Sequence, residues 1–174
     1  MSSDSGIFAS ISVAVTRLAL SFWVGGAVLF VMTSVAEQRH SQFDSVIRDQ
    51  LATIRFPYYY LFGWTCLGTA ISASALAAIL SHGCLRKRML AAFAFTILST
   101  AIAVLDYGWV YRPLQELISP PGLARTEQFI TLHQRSRTIN EVHLSLALIG
   151  ALIACLPEKL SSLTRTPSPR SCPQ

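Results

Sequence analysis

The chain has 174 residues, 52% of them hydrophobic and 13% charged, with a mean hydropathy of +0.46. Soluble domains carry about 25% charged residues, so this composition excludes an ordinary water-soluble globular domain and makes lipid the natural solvent. The net charge of +5 lies mostly between and after the apolar runs, as it does where membrane flanks meet headgroups. It does not gather with stacking aromatics on one basic face, which argues against a nucleic-acid partner.

The start, "MSSDSG", has no cation and carries Asp4, and Arg17 interrupts the apolar run that follows. A cleavable leader needs the opposite pattern, so the first apolar stretch is expected to stay as a membrane helix. A span needs about 20 mostly apolar residues. Stretches near Ile7–Val35, Tyr58–Leu80, Leu90–Tyr111 and Ile139–Leu156 qualify, the last with a polar extension back to Thr126. In lipid each backbone must satisfy its own hydrogen bonds, and the short alternating segments of a barrel are absent. The reading is an all-α integral membrane four-helix bundle with antiparallel up-down topology over residues 1–157. Residues 158–174 are polar and rich in Pro and Ser, the composition of a disordered tail.

Local signals set the expected boundaries. Pro57 suits the first turn of the second helix, and Tyr58, Tyr59 and Tyr60 suit an interfacial aromatic belt. Arg112-Pro113 is expected to stop the third helix. The segment "SHGCLRKR" reads as a short loop that makes helices two and three antiparallel neighbours. Its Arg86, Lys87 and Arg88 favour a cytoplasmic position for that loop and for both termini. Cys66 and Cys155 read as small apolar packers.

Small residues four apart form candidate packing seams: Ser21 and Gly25; Thr69, Ala73 and Ala77; Ala147 and Ala151. Such seams serve a bundle or a homo-oligomer. On the fourth helix His133, Ser136, Arg137 and Asn140 share one face, which continues into His143, Ala147, Gly150, Ala151 and Ala154. On the third, Ser99, Ala103 and Asp106 share a face. Asp106 lies about 9 Å before Arg112, on the side from which His133–Asn140 enters. An intramembrane carboxyl needs a partner, so Asp106 is expected to meet Arg137, His133 or Asn140. Arg17 is expected to snorkel toward headgroups at the other side.

Four ordered signatures, "FWVGG" (Phe22–Gly26), "RFPYYY" (Arg55–Tyr60), "LDYGWVYRPL" (Leu105–Leu114) and "LHQRSRTIN" (Leu132–Asn140), together resemble the domain of unknown function 4149 family, which includes transmembrane protein 205. Trp23, Gly25, Phe56, Pro57, Tyr59, Arg112 and Pro113 fall within these motifs, as do Asp106, His133, Ser136 and Asn140. In that family an amide is common where Asp106 stands. The resemblance implies a multi-pass membrane protein and brings no settled reaction or transported species. The first signature also resembles the copper-resistance D family.

Three classes of function follow. The first is binding or movement of a small solute or lipid headgroup through a polar pocket of Asp106, His133, Ser136, Arg137 and Asn140. The second is an interaction protein whose polar motif only locks helices. The third is copper or haem handling. His133 and His143 are about 15 Å apart on one helix, too far to share a metal, and no cofactor is expected. No nucleophile elbow or phosphate-cradling glycine motif is present, so catalysis is not expected.

Overall fold

The computed structural model describes residues 3–157. The polar tail read as disordered lies outside the described residues. Within them α1 covers Ser3–Arg39, α2 Ser45–Leu80, α3 Gly83–Asp106, α4 Arg112–Glu116 and α5 Glu127–Cys155. A π-helical turn, Tyr107–Tyr111, joins α3 to α4, so Gly83–Glu116 forms one continuous span. Four helices are long and apolar enough to cross a membrane, and the fold is an antiparallel helical bundle. Its neighbours form a ring: α1 packs on α2, α2 on α3, α3 on α5, and α5 back on α1. Residues 18–36, 56–85, 89–105 and 142–157 contain no Asp, Glu, Lys or Arg, so each span carries its own uncharged run.

Several boundaries differ from those read in the sequence, each for a local reason. Helix α2 begins thirteen residues before Tyr58, at Ser45, because Asp44 caps it by accepting the Ile47 N–H at 2.9 Å. Pro57 therefore lies in the interior of α2 rather than in its first turn. Pro113 does not stop the third span. The π turn before it shifts the register, so that the Arg112 N–H donates to the Tyr107 carbonyl and the proline enters α4 near its start. A turn of this kind accommodates an interruption without ending the helix. The link between α2 and α3 is only Ser81 and His82, closed by Gly83 at φ +59°, a conformation that favours glycine. Arg86, Lys87 and Arg88 thus sit in the opening turns of α3, not in a loop. The start of α5 matches its reading, with Thr126 accepting the Phe129 N–H at 3.1 Å.

The packing seams are also partly redrawn. Ala73, Ala77, Ala147 and Ala151 are buried, but Ser21, Gly25 and Thr69 face outward. Gly26 and Gly63 make the close approaches instead: a Cβ on Gly63 would lie 2.6 Å from the Trp23 ring, and one on Gly26 would strike Phe62. Cys66 is buried, whereas Cys155 is exposed and packs nothing in the core. Arg17 does not simply reach outward. Its Nε donates to the Ala154 carbonyl at 2.8 Å, in the last turn of α5 where intrahelical donors run out.

These contacts set a prediction. Gly63→Ala drives a methyl into a buried, stacked indole and should cost about 1–3 kcal/mol. Gly25→Ala meets nothing within 4 Å and should leave stability unchanged or slightly raised. Thermal unfolding of both variants in detergent checks the contrast.

Candidate functional site: a buried polar hub at Asn140

The polar residues converge at the end of the bundle near the π turn. Asn140 projects from α5 into the interior, and its amide is fully used. Its Nδ2 donates to Asp106 Oδ2 at 3.2 Å and to the Ser136 carbonyl at 2.8 Å. Its Oδ1 accepts from Tyr59 Oη at 3.1 Å and lies 3.0 Å from His143 Nε2. An amide oxygen only accepts, so His143 must carry its proton on Nε2. Two donors and two lone pairs of one side chain thereby find partners.

Asp106 is the second centre. It is 1% exposed, and its Oδ2 accepts from Tyr60 Oη at 2.8 Å, Asn140 Nδ2 at 3.2 Å and, more weakly, Ser136 Oγ at 3.4 Å. Its Oδ1 is buried with no hydrogen-bond partner, as are His143 Nδ1 and Trp23 Nε1. Donors from α2 and α5 thus meet on one carboxyl of α3, so a single group ties three helices. Below it, Ser99 Oγ of α3 donates to the His143 carbonyl of α5 at 2.7 Å.

Aromatic rings close the site. The Trp23 ring of α1 stacks on His143 with centroids 5.9 Å apart and packs against Tyr59 at 5.2 Å. Tyr60, Tyr107 and Tyr111 form a further cluster, with Tyr60 4.9 Å from Tyr107 and 4.7 Å from Tyr111. Phe56 joins Tyr111 to Phe30, and Arg112 lies over the Tyr107 ring at 5.3 Å. Pro113 makes no hydrogen bond to the hub and serves the chain path. A cavity of about 10 Å³ lies beside the hub, walled by Trp23, Tyr59, Tyr60, Gly63 and His143 among others. That is room for roughly one water molecule.

The structure divides the five residues read as one polar pocket. Asp106, Ser136 and Asn140 come together. Arg137 turns outward, pairing with Glu141 at 3.0 Å on the exposed surface, because the i,i+4 carboxylate is nearer than the core. His133 is exposed too, stacked on Phe129 at 5.8 Å. The stripe bends with the 3.6-residue period, and only its 136–140–143 edge faces inward.

Tyr60 and His143 were not read as hub members. Tyr58 is 69% exposed, as an interfacial belt requires, but Tyr59 and Tyr60 are buried. The spacing Tyr59/Tyr60, Gly63, Leu67, Ala70 carries that signal, since it continues the buried seam of α2 back through the tyrosines. A second polar clamp also escaped the sequence reading. Asp49, 1% exposed, forms an ion pair with Arg125 and accepts the Gly122 N–H at 2.9 Å, fastening the α4–α5 loop to α2. Arg55 likewise pairs with Glu37 and holds α1 to α2. Among the described residues no group of three His, Cys, Asp or Glu side chains gathers where a metal ion could be held.

No family model, no curated protein and no solved structure matches the chain. The fold and hub define it by class alone: a membrane-spanning four-helix bundle with a polar core near one end.

The hub predicts unequal costs. Each interhelical side-chain hydrogen bond in a membrane is worth about 0.6–2 kcal/mol. Asn140→Ala and Asp106→Ala should therefore each lose about 2 kcal/mol or more, by leaving buried donors unpaired. Asp106→Asn keeps an acceptor for Tyr60 and should lose less. His133→Ala and Arg137→Ala should stay within about 0.5 kcal/mol of the parent. Unfolding titrations in mixed micelles rank the five variants.

Proposed function

We propose that this chain is a multi-pass protein of the cell membrane, similar to the transmembrane protein 205 group, with both termini on the cytoplasmic side. Its hub is a lock, and it works by presenting its surface to a protein partner rather than by passing a solute through its centre. One observation carries this reading: Asn140 and Asp106 Oδ2 find their hydrogen-bond partners within the chain, beside a cavity of only about 10 Å³, while His133 and Arg137 are exposed. Pockets that hold small-molecule ligands run to roughly 300 Å³ or more. The exposed first half of α5, with Arg135, Arg137 and Glu141, extends the helix beyond its apolar run and forms the presented surface. A second copy of the chain is one such partner.

A second reading takes the hub as a binding site for a small polar solute or headgroup. Asp106 Oδ1 and His143 Nδ1 favour it, because both are buried without a partner and such atoms call for one. The bundle would have to open for entry.

Two measurements separate the readings. A photo-crosslinker replacing Arg137 in cells should give discrete protein adducts, and one replacing the lipid-facing Leu152 should not. Proteoliposomes holding the purified chain should take up small amino acids and organic anions no faster than empty vesicles. A solute-specific flux that Asp106→Asn abolishes would establish the second reading instead.

A further inference from the structure

The second and third spans meet near the π turn in aromatic rings that are only partly covered. Trp64 of α2 packs edge-on against Tyr107, with centroids 4.9 Å apart and planes at 74°, yet it stays 39% exposed. Residues four apart share a helix face, which places Gly68 below Trp64 on α2 and Val104 beside Gly108 on the third span. Gly68, Val104 and Gly108 are all exposed. A Cβ on Gly68 or on Gly108 would meet nothing within 4 Å, so the flank of the two rings is open rather than walled by side chains. This strip lies on the outside of the bundle, away from the hub cavity.

A polar group stands at one end of the strip. Arg112 is exposed, and its Cζ lies over the Tyr107 ring at 5.3 Å. Among the described residues Arg112 makes no ion pair, whereas Arg55 is held by Glu37 and Ser34. Its N–H donors are therefore free for an acceptor outside the chain. The order Leu105, Tyr107, Arg112 fits a short pattern proposed for sterol contact: an aliphatic residue, a tyrosine and a cation. Of the five tyrosines only Tyr107 has it. Alone that pattern is unspecific; here it coincides with an open aromatic strip and a cation seated on the same ring. Residues 56–85 and 89–111 contain no other Lys or Arg. Anionic headgroups are read by clusters of cations, so one guanidinium suits a small neutral hydroxyl better than a phosphate. A rigid, flat body also gives up less conformational freedom on such a surface than an acyl chain does.

We infer that the exposed strip between α2 and the third span binds a flat polycyclic lipid alcohol of the sterol class, its rings against Trp64 and Tyr107 and its hydroxyl toward Arg112. The site does not depend on whether the hub is a lock, and the two can fail separately.

Photolabelling of the full chain in phosphatidylcholine vesicles, with a diazirine-bearing cholesterol analogue as the probe, tests the assignment. Peptide mapping should place the adducts within residues 61–72 and 101–112, and excess unlabelled cholesterol should remove them. Arg112→Gln should lower labelling about fivefold, the equivalent of one hydrogen bond. Gly68→Leu fills the open flank and should abolish it. Gly25→Leu, which adds the same side chain in equally open surroundings on α1, should label as the parent does. Gly68 and Arg112 are both exposed, so both variants are expected to fold, and their melting is compared with the parent's. Adducts spread evenly over the four spans overturn the proposal. So does undiminished labelling of either variant when it melts like the parent. Removal of the adducts by phosphatidylglycerol as effectively as by cholesterol would reassign the strip to phospholipid and overturn the sterol assignment.

Discussion

A polar group inside a membrane bundle must find its partners within the protein, and in this chain that constraint falls on Asn140. Its amide has two donors and two acceptor positions, and all four are engaged: Asp106, the Ser136 carbonyl, Tyr59 and His143. Lipid offers no competing hydrogen bonds and no hydrophobic drive between helices, so such an arrangement selects one rotation of α5 against its neighbours. A quarter-turn of α5 would send Asn140 into lipid and leave Tyr59 and Asp106 without it. The rest of the interior is permissive by comparison. Ala70, Ala77, Ala92, Ala147 and Ala154 are fully or nearly fully buried, and small residues of this kind allow close approach at more than one register.

The aromatic shell depends on the same constraint. Trp23 reaches the hub through its stack on His143, and it can do so because Gly63 offers no side chain where the indole lies. The helix that makes no hydrogen bond to the hub is thereby docked on it by shape. The π turn at Tyr107–Tyr111 follows Asp106 directly. It carries Tyr107 and Tyr111 around Tyr60, and so buries the hydroxyl that donates to the carboxyl. Outside this zone the elements are tied by ion pairs, Arg55 with Glu37 and Arg125 with Asp49.

Much of this was legible in the sequence, for identifiable reasons. Four spans follow from the apolar runs because lipid tolerates little else. The inward face of α5 follows from the 3.6-residue period, which joins Asn140 to His143, Ala147, Gly150 and Ala154. What escaped were the places where a local signal points two ways. Tyr58, Tyr59 and Tyr60 look alike in sequence, yet a helix can turn only some of three consecutive residues inward. Pro57 and Pro113 read as helix ends, because the sequence alone does not show a cap thirteen residues upstream or a π turn just before the ring. Arg137 reads as a partner for Asp106, but Glu141, four residues on along the same helix, pairs with it instead. Asp49 and Arg125 lie 76 residues apart, and no local pattern announces their pairing.

Asp106 and its donors hold α2, α3 and α5 in one register. A double-mutant cycle between Tyr60→Phe and Asp106→Ala, followed by unfolding in mixed micelles, measures that coupling directly. A coupling energy of about 1 kcal/mol or more is expected. Strict additivity of the two substitutions, with a coupling near zero, would contradict it.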